Sequence, residues 1–151
     1  MITINRTDSE NPDFVELVRQ LDTDLAIRDG DEHEFYAQFN HLDKIKHAIV
    51  AYYDKQPVAC GAIRAQNSEV TEVKRMFVVP SQRGKGMASL VLKELENWAT
   101  ELNFKKCVLE TGKRQPEAIA LYKKSNYQII PNFGPYVGKE NSICFEKIIA
   151  N

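Results

Sequence analysis

The sequence has no excess of charge of one sign and no long run of apolar residues. Among its 151 residues, 20 Lys and Arg nearly balance 21 Asp and Glu, so no overall field draws it to nucleic acid or an anionic membrane. No apolar run approaches the roughly 20 residues that a membrane-spanning helix needs, and the segment MITINRTDSE lacks a signal-peptide core. These absences predict one cytoplasmic domain, residues 1–151, without a nucleic-acid or membrane partner.

Cysteine and histidine are also scarce. The three cysteines, Cys60, Cys107 and Cys144, are odd in number, far apart and embedded in strand-like stretches. This arrangement favours buried free thiols over a disulfide framework. The three histidines lack the spacing of metal ligands, so no metal site is predicted.

The hydrophobic periodicity predicts a mixed α/β architecture. The element order is β-α-α-β-β-β-α-β-α-β-β, which corresponds to a three-layer sandwich. Three closely spaced strand patterns, HAIVAYY, PVACGAIRA and EVTEVKRMFVV, predict an antiparallel meander. A short helix is predicted over Glu34–Phe39. The most regular helix pattern follows the meander, and its polar face is predicted to contain Ser89, Lys93, Glu96 and Asn97.

Two glycines and two cations lie between the meander and this helix, in the stretch VVPSQRGKGMASL. A helix start presents unpaired N–H groups to an anion, glycine lets the backbone approach closely, and Arg83 and Lys85 add positive charge. The residues exclude two familiar phosphate motifs, because Lys85 is followed by Gly86 and not by Ser or Thr, and the third glycine of a dinucleotide fingerprint is missing. The local residues leave two interpretations, a phosphate cradle and a surface turn with solvated charges.

The segment Arg83–Ala88 resembles the R/Q-x-x-G-x-G/A signature of the GNAT superfamily of N-acetyltransferases, which holds the pyrophosphate of acetyl-coenzyme A (acetyl-CoA). In that superfamily the signature follows the fourth strand and begins the third helix, as it does here. Downstream, RQPEAIALYKKSNY is similar to the family segment N-x-x-A-x-x-L-Y-x-x-x-G-F, with Gln115 in place of asparagine and Asn126 in place of glycine. The resemblance implies a mostly antiparallel mixed sheet that is splayed at the cofactor site.

The resemblance also implies a donor site for acetyl-CoA. The backbone of Met76, Phe77 and Val78 is expected to pair with the pantetheine arm like an added strand. The other implied cofactor-binding positions are Arg83, Gly84, Lys85, Gly86, Met87, Ala88 and Gln115.

Two side chains are candidates for proton transfer. Tyr122 matches the general acid of the superfamily, and a core tyrosine is the alternative role. Glu72 is the candidate base, and a structural ion pair with Lys74 or Arg75 is its alternative. Strand alternation predicts Glu72, Lys74 and Met76 on one face.

The acceptor pocket is expected between the first two helices and the last hairpin. Six acidic residues lie between positions 22 and 34, with only Arg28 opposing them. They indicate either a solvated loop or an acidic rim, including Asp29 and Asp31, that attracts a cationic amine. Tyr36 and Phe39 would then line the pocket.

The last hairpin is richer in aromatics and turn formers than a plain hairpin requires. Phe133 and Tyr136 lie among prolines and glycine in the stretch IPNFGPYVGKENS. They are expected either to close over the acceptor or to form a homodimer contact.

The resemblance thus implies an N-acetyltransferase that moves the acetyl group of acetyl-CoA directly to a primary amine of a small molecule or peptide, through a tetrahedral intermediate. The alternative is a non-catalytic acyl-CoA sensor or interaction module with the same fold.

Overall fold

A computed structural model describes residues 1–30 and 45–150. Its sheet has seven strands in the order β1-β2-β3-β4-β5-β7-β6. Neighbouring strands are antiparallel except for β4 and β5, which are parallel. The strands are β1 Ile2–Thr7, β2 His47–Tyr53, β3 Gln56–Ala65, β4 Val70–Val78, β5 Lys106–Gly112, β6 Gln128–Ile130 and β7 Ser142–Ile148.

The described residues contain three α-helices: α1 Pro12–Asp29, α2 Met87–Glu101 and α3 Pro116–Lys124. The Asn11 side chain caps α1, since it accepts from the backbone N–H groups of Asp13 and Phe14. The short helix predicted over Glu34–Phe39 lies outside the described residues. No helix in the described ranges is long and apolar enough to cross a membrane.

Helices cover both faces of the sheet. Apolar residues of α1 pack with β2, β3 and Phe77 in one core cluster, whereas α2 and α3 pack against the opposite face in the larger cluster. The three cysteines are buried free thiols, as predicted. The three-layer sandwich with a mostly antiparallel sheet is therefore confirmed.

One residue that the helical pattern assigned to the polar face of α2 is buried. Glu96 is only 5% exposed. Tyr127 Oη donates to its Oε2 over 3.0 Å, and Lys147 Nζ donates to its Oε1 over 2.8 Å. Because both carboxylate oxygens have partners, the charge can be buried. Those partners come from distant segments, so a helical wheel alone could not reveal them.

Strand β4 contains a bulge that changes which side chains share a face. Its pairing with β3 shifts between Cys60 and Ala62, and Arg75 has a φ of 60°. Lys74 and Arg75 therefore both lie on the α1 side, while the Met76 side chain lies on the α2 side. The prediction that Met76 shares a face with Glu72 and Lys74 is wrong for this reason.

The bulge accompanies the predicted splay of the sheet. Strands β4 and β5 pair only where Val70–Glu72 meets Lys106–Val108. Beyond these residues the two parallel strands diverge, because a bulged strand bends away from its regular course. The edge of β4 that faces β5 is consequently open from Val73 to Val78.

The bulge also explains Gly61, and we expect a Gly61→Ala variant to be less stable. A Cβ at this position would lie 2.6 Å from Met76 Sδ and 2.9 Å from side-chain carbons of both Val91 and Leu95. Overpacking of this kind lowers the free energy of unfolding by about 1–3 kcal/mol, as chemical denaturation can measure. Gly112→Ala is the control, because its nearest contacts are 3.4 Å away. Equal stability of Gly61→Ala and the unmodified protein would contradict this packing.

Candidate active site

A cavity of about 490 Å³ occupies the gap between β4 and β5. The C-terminal half of α1, the start of α2 and the helix α3 enclose it. Lys85 does not line this cavity, and its Nζ instead donates to Gln82 Oε1 over 3.4 Å. The other predicted cofactor-binding residues all line it: Met76, Phe77, Val78, Arg83, Gly84, Gly86, Met87, Ala88 and Gln115.

The start of α2 has the properties of an anion site. Gly84 and Gly86 have φ values of 76° and 82°, in the region that favours glycine. Nothing lies within 4 Å of a Cβ built on either residue, so the space before the loop is open. Gly86 is the N-cap of α2, and no side chain in the described residues caps this helix. The first-turn N–H groups, from Met87 onward, are therefore available to an anion at the cavity.

Arg83 fastens the glycine loop to the end of β4. Its Nε donates to the carbonyl oxygen of Val78 over 2.8 Å. Its guanidinium carbon lies 5.5 Å from the ring centroid of Phe77. This arrangement keeps a positive charge beside the anion site.

Tyr122 lies on α3 and lines the cavity although it is only 5% exposed. Its ring centroid is 5.8 Å from those of both Tyr127 and Phe145. Burial raises the pKa of Tyr122, and the negative charge of Glu110 adds to this effect. The phenol therefore keeps its proton at neutral pH and can donate it within the cavity. The residue combines a core tyrosine's packing with access to the site.

Glu72 and Lys74 lie together on the cavity wall. Glu72 Oε2 is 3.8 Å from Lys74 Nζ, and the side chains are 14% and 9% exposed, respectively. Gln66 Nε2 is 3.4 Å from Glu72 Oε1. Burial lowers the pKa of Lys74, while the charges of Glu72 and Glu110 act in the opposite direction. The ion pair is thus formed with Lys74, and Glu72 also lines the cavity.

Sequence reasoning missed Glu110, which also lines the cavity. It lies near the carboxyl end of β5, at the point where β4 and β5 have diverged. A charged residue directly after the apolar run CVL of a strand pattern was the available signal. A polar residue at the end of a parallel strand often belongs to a ligand site.

Asp22 and Asp24, the two residues of the acidic cluster whose side chains are described, have cationic partners. Asp22 Oδ1 is 2.7 Å from Arg75 Nη1, and Asp24 Oδ2 is 3.3 Å from Arg28 Nε. Arg28 is the only Lys or Arg within the acidic stretch itself, and the bulge brings a second cation, Arg75 of β4, to α1. Arg28 also pairs with Glu117 at the start of α3, which joins the two helices at the cavity wall.

Several predicted acceptor residues are not placed. Asp31, Tyr36 and Phe39 lie outside the described residues, and so does the side chain of Asp29. In the last hairpin, Tyr136 is buried and lines the cavity. The Phe133 ring packs edge-on against the ring of Tyr136, with centroids 5.8 Å apart, and does not itself line the cavity.

The fold and the cavity define the class of structure, a mixed α/β sandwich with a glycine loop and an uncapped helix start beside a splayed sheet. Residues 11–127 match the sequence model of the Acetyltransferase (GNAT) family. The chain is 33% identical over 154 aligned positions to the IAA acetyltransferase of Azospirillum brasilense, and the alignment covers 97% of each chain. The chain therefore belongs to the GNAT family of acetyltransferases and is an acyltransferase.

Solved structures share this fold. A protein from Klebsiella pneumoniae described as an acyl-CoA N-acyltransferase is 27% identical with a TM-score of 0.83, and the match covers 99% of this chain and 98% of that one. A GNAT family acetyltransferase from Elizabethkingia anophelis, crystallised with acetyl-CoA bound, has a TM-score of 0.71 at 19% identity, with 97% of each chain covered. Both have the fold described above.

Proposed function

We propose that this protein transfers the acetyl group of acetyl-CoA to a primary amine of a small molecule or peptide. The observation that carries the proposal is one cavity that joins the glycine loop, the open edge of β4 and the Tyr122 side chain. Membership of the acetyltransferase family supports acetyl-CoA as the donor.

The residues present fit this donor. The N–H groups at the start of α2 suit its pyrophosphate, and Arg83 supplies additional positive charge. The pantetheine arm contains amide groups, which suit the open edge of β4 at Met76–Val78 because an extended chain can pair there like an added strand. A backbone N–H on this edge can stabilise the oxyanion that forms when an amine attacks the thioester.

Two side chains then transfer protons. Tyr122 is protonated at neutral pH and donates to the departing thiolate. Glu72 accepts a proton from the acceptor amine, either directly or through water. Deprotonating a lysine-like amine at pH 7 costs about 4 to 5 kcal/mol, so a base matters greatly for an acceptor of that kind.

The test is a CoA-release assay with acetyl-CoA against small amines, polyamines, amino acids and N-terminal peptides. We expect turnover above the hydrolytic background with at least one class, together with a raised melting temperature in acetyl-CoA. Stabilisation by acetyl-CoA without turnover across all classes would favour the sensor function instead. The absence of both turnover and stabilisation would contradict the proposed donor site.

A further inference from the structure

Two consecutive cations on β4 lie beside the cavity on the α1 side of the sheet. Regular alternation would place Lys74 and Arg75 on opposite faces, but the bulge brings both to one face. Their side chains are only 9% and 2% exposed. Arg75 Nη1 contacts Asp22, and its Nε has no hydrogen-bond partner in the described part of the chain. Burying two neighbouring cations is costly, which indicates a role beyond strand formation.

The proposed donor does not bring an anion to this position. Its pyrophosphate is expected at the glycine loop, which begins after Val78. Lys74 precedes Val78 by four residues, about 13 Å along an extended strand. The arm expected between these positions is uncharged. An anionic group near Lys74 and Arg75 would therefore belong to the acceptor.

The carboxylates beside these cations suit the other end of such an acceptor. Glu72 lies 3.8 Å from Lys74, and the charge of Glu110 also acts on Lys74. Both glutamates line the cavity. Carboxylates and cations thus lie side by side in the wall, an arrangement that matches a molecule with both an ammonium and a carboxylate group.

We infer that the acceptor is a small amine carrying its own carboxylate, as a free α-amino acid does. The inference rests on the proposed function and names the substrate class for the same site. Lys74, with Arg75 behind it, binds the carboxylate, while Glu72 and Glu110 face the amine. The cavity of about 490 Å³ also has to hold the end of the donor, so the acceptor is small.

The test compares each common amino acid with its α-amide as an acceptor. The amide keeps the amine and the side chain but loses the negative charge. Since the amide has the less basic amine, a preference for the acid cannot arise from easier deprotonation. We expect kcat/KM to be at least about tenfold higher for the preferred amino acid than for its amide.

Three variants test whether Lys74 causes the preference for acid over amide. Lys74→Met should remove the preference for acid over amide without changing the KM for acetyl-CoA, while Lys74→Arg should retain it. Lys106→Met is the matched control, because Lys106 pairs with Glu146 over 3.0 Å in the same sheet but does not line the cavity. The control should behave as the unmodified protein does.

The outcomes separate this inference from the proposed function. If amides or simple amines are acetylated with the same kcat/KM as the acids, the inference is wrong, whereas the proposed acetyl transfer stands. If nothing is acetylated, the proposed function fails, and the melting temperature of the CoA-saturated protein tests the inference. Amino acids should then stabilise the unmodified protein more than Lys74→Met, and equal effects on both would overturn it.

Discussion

Replacing Tyr122 with phenylalanine is expected to lower kcat by about 100-fold or more, the usual contribution of a general acid. The variant keeps the ring that packs against Tyr127 and Phe145 and loses only the hydroxyl. The thiolate must then leave without a proton from the enzyme. The KM for acetyl-CoA should change little, because the glycine loop and β4 are untouched. Steady-state kinetics with the acceptor found in the CoA-release assay measures both quantities.

The pH dependence gives a second measurement on the same residue. A general acid must be protonated, and burial holds the pKa of Tyr122 above its ordinary value of about 10. At pH values below about 10, kcat should therefore show no decrease caused by deprotonation of this phenol. Tyr53→Phe is the control, since Tyr53 is 43% exposed and does not line the cavity. A kcat for Tyr122→Phe within threefold of the unmodified protein would remove the residue as the acid.

Placing a carboxylate in the glycine loop should weaken acetyl-CoA binding by a similar factor. Gly86→Asp brings a negative charge to the proposed pyrophosphate site. At an effective dielectric constant of 20, two unit charges 6 Å apart repel by about 3 kcal/mol, which corresponds to an increase in Kd of about 100-fold. Calorimetric titration with acetyl-CoA measures this change.

The matched control is Gly86→Asn, which has nearly the same shape without the charge. Asp and Asn both tolerate a positive φ better than other side chains, so both variants can adopt the 82° value at this position. We expect the Asn variant to bind at least tenfold more tightly than the Asp variant. Equal affinities would mean that no anionic group of the donor lies near Gly86.

Local signals in the sequence predicted much of the fold. The Asn11 cap, the left-handed conformations of Asn103 and Asn126, and the turn at Asp54 and Lys55 all fall on residue types that favour such features. Each of these features depends on a few neighbouring residues, so a single sequence is sufficient to reveal it.

The sequence could not predict features that depend on distant partners. The bulge at Arg75 requires the pairing of β3 with β4, which periodicity does not encode. Glu96 is buried because Tyr127 and Lys147 reach it from other elements. Glu110 enters the cavity only because β4 and β5 diverge beside it. The glycine loop could be recognised in the sequence because its residues are adjacent. The proposed acceptor site could not, because its residues come from separate strands.

The central claim is that the start of α2 holds the pyrophosphate of the donor, with Tyr122 at the other end of the cavity. A crystal structure of the protein with CoA tests it most directly. We predict pyrophosphate oxygens within hydrogen-bonding distance of backbone N–H groups in Gly84–Ala88, and the CoA sulfur next to Tyr122 Oη. CoA bound with its pyrophosphate on another surface, or with its sulfur remote from Tyr122, would contradict the account.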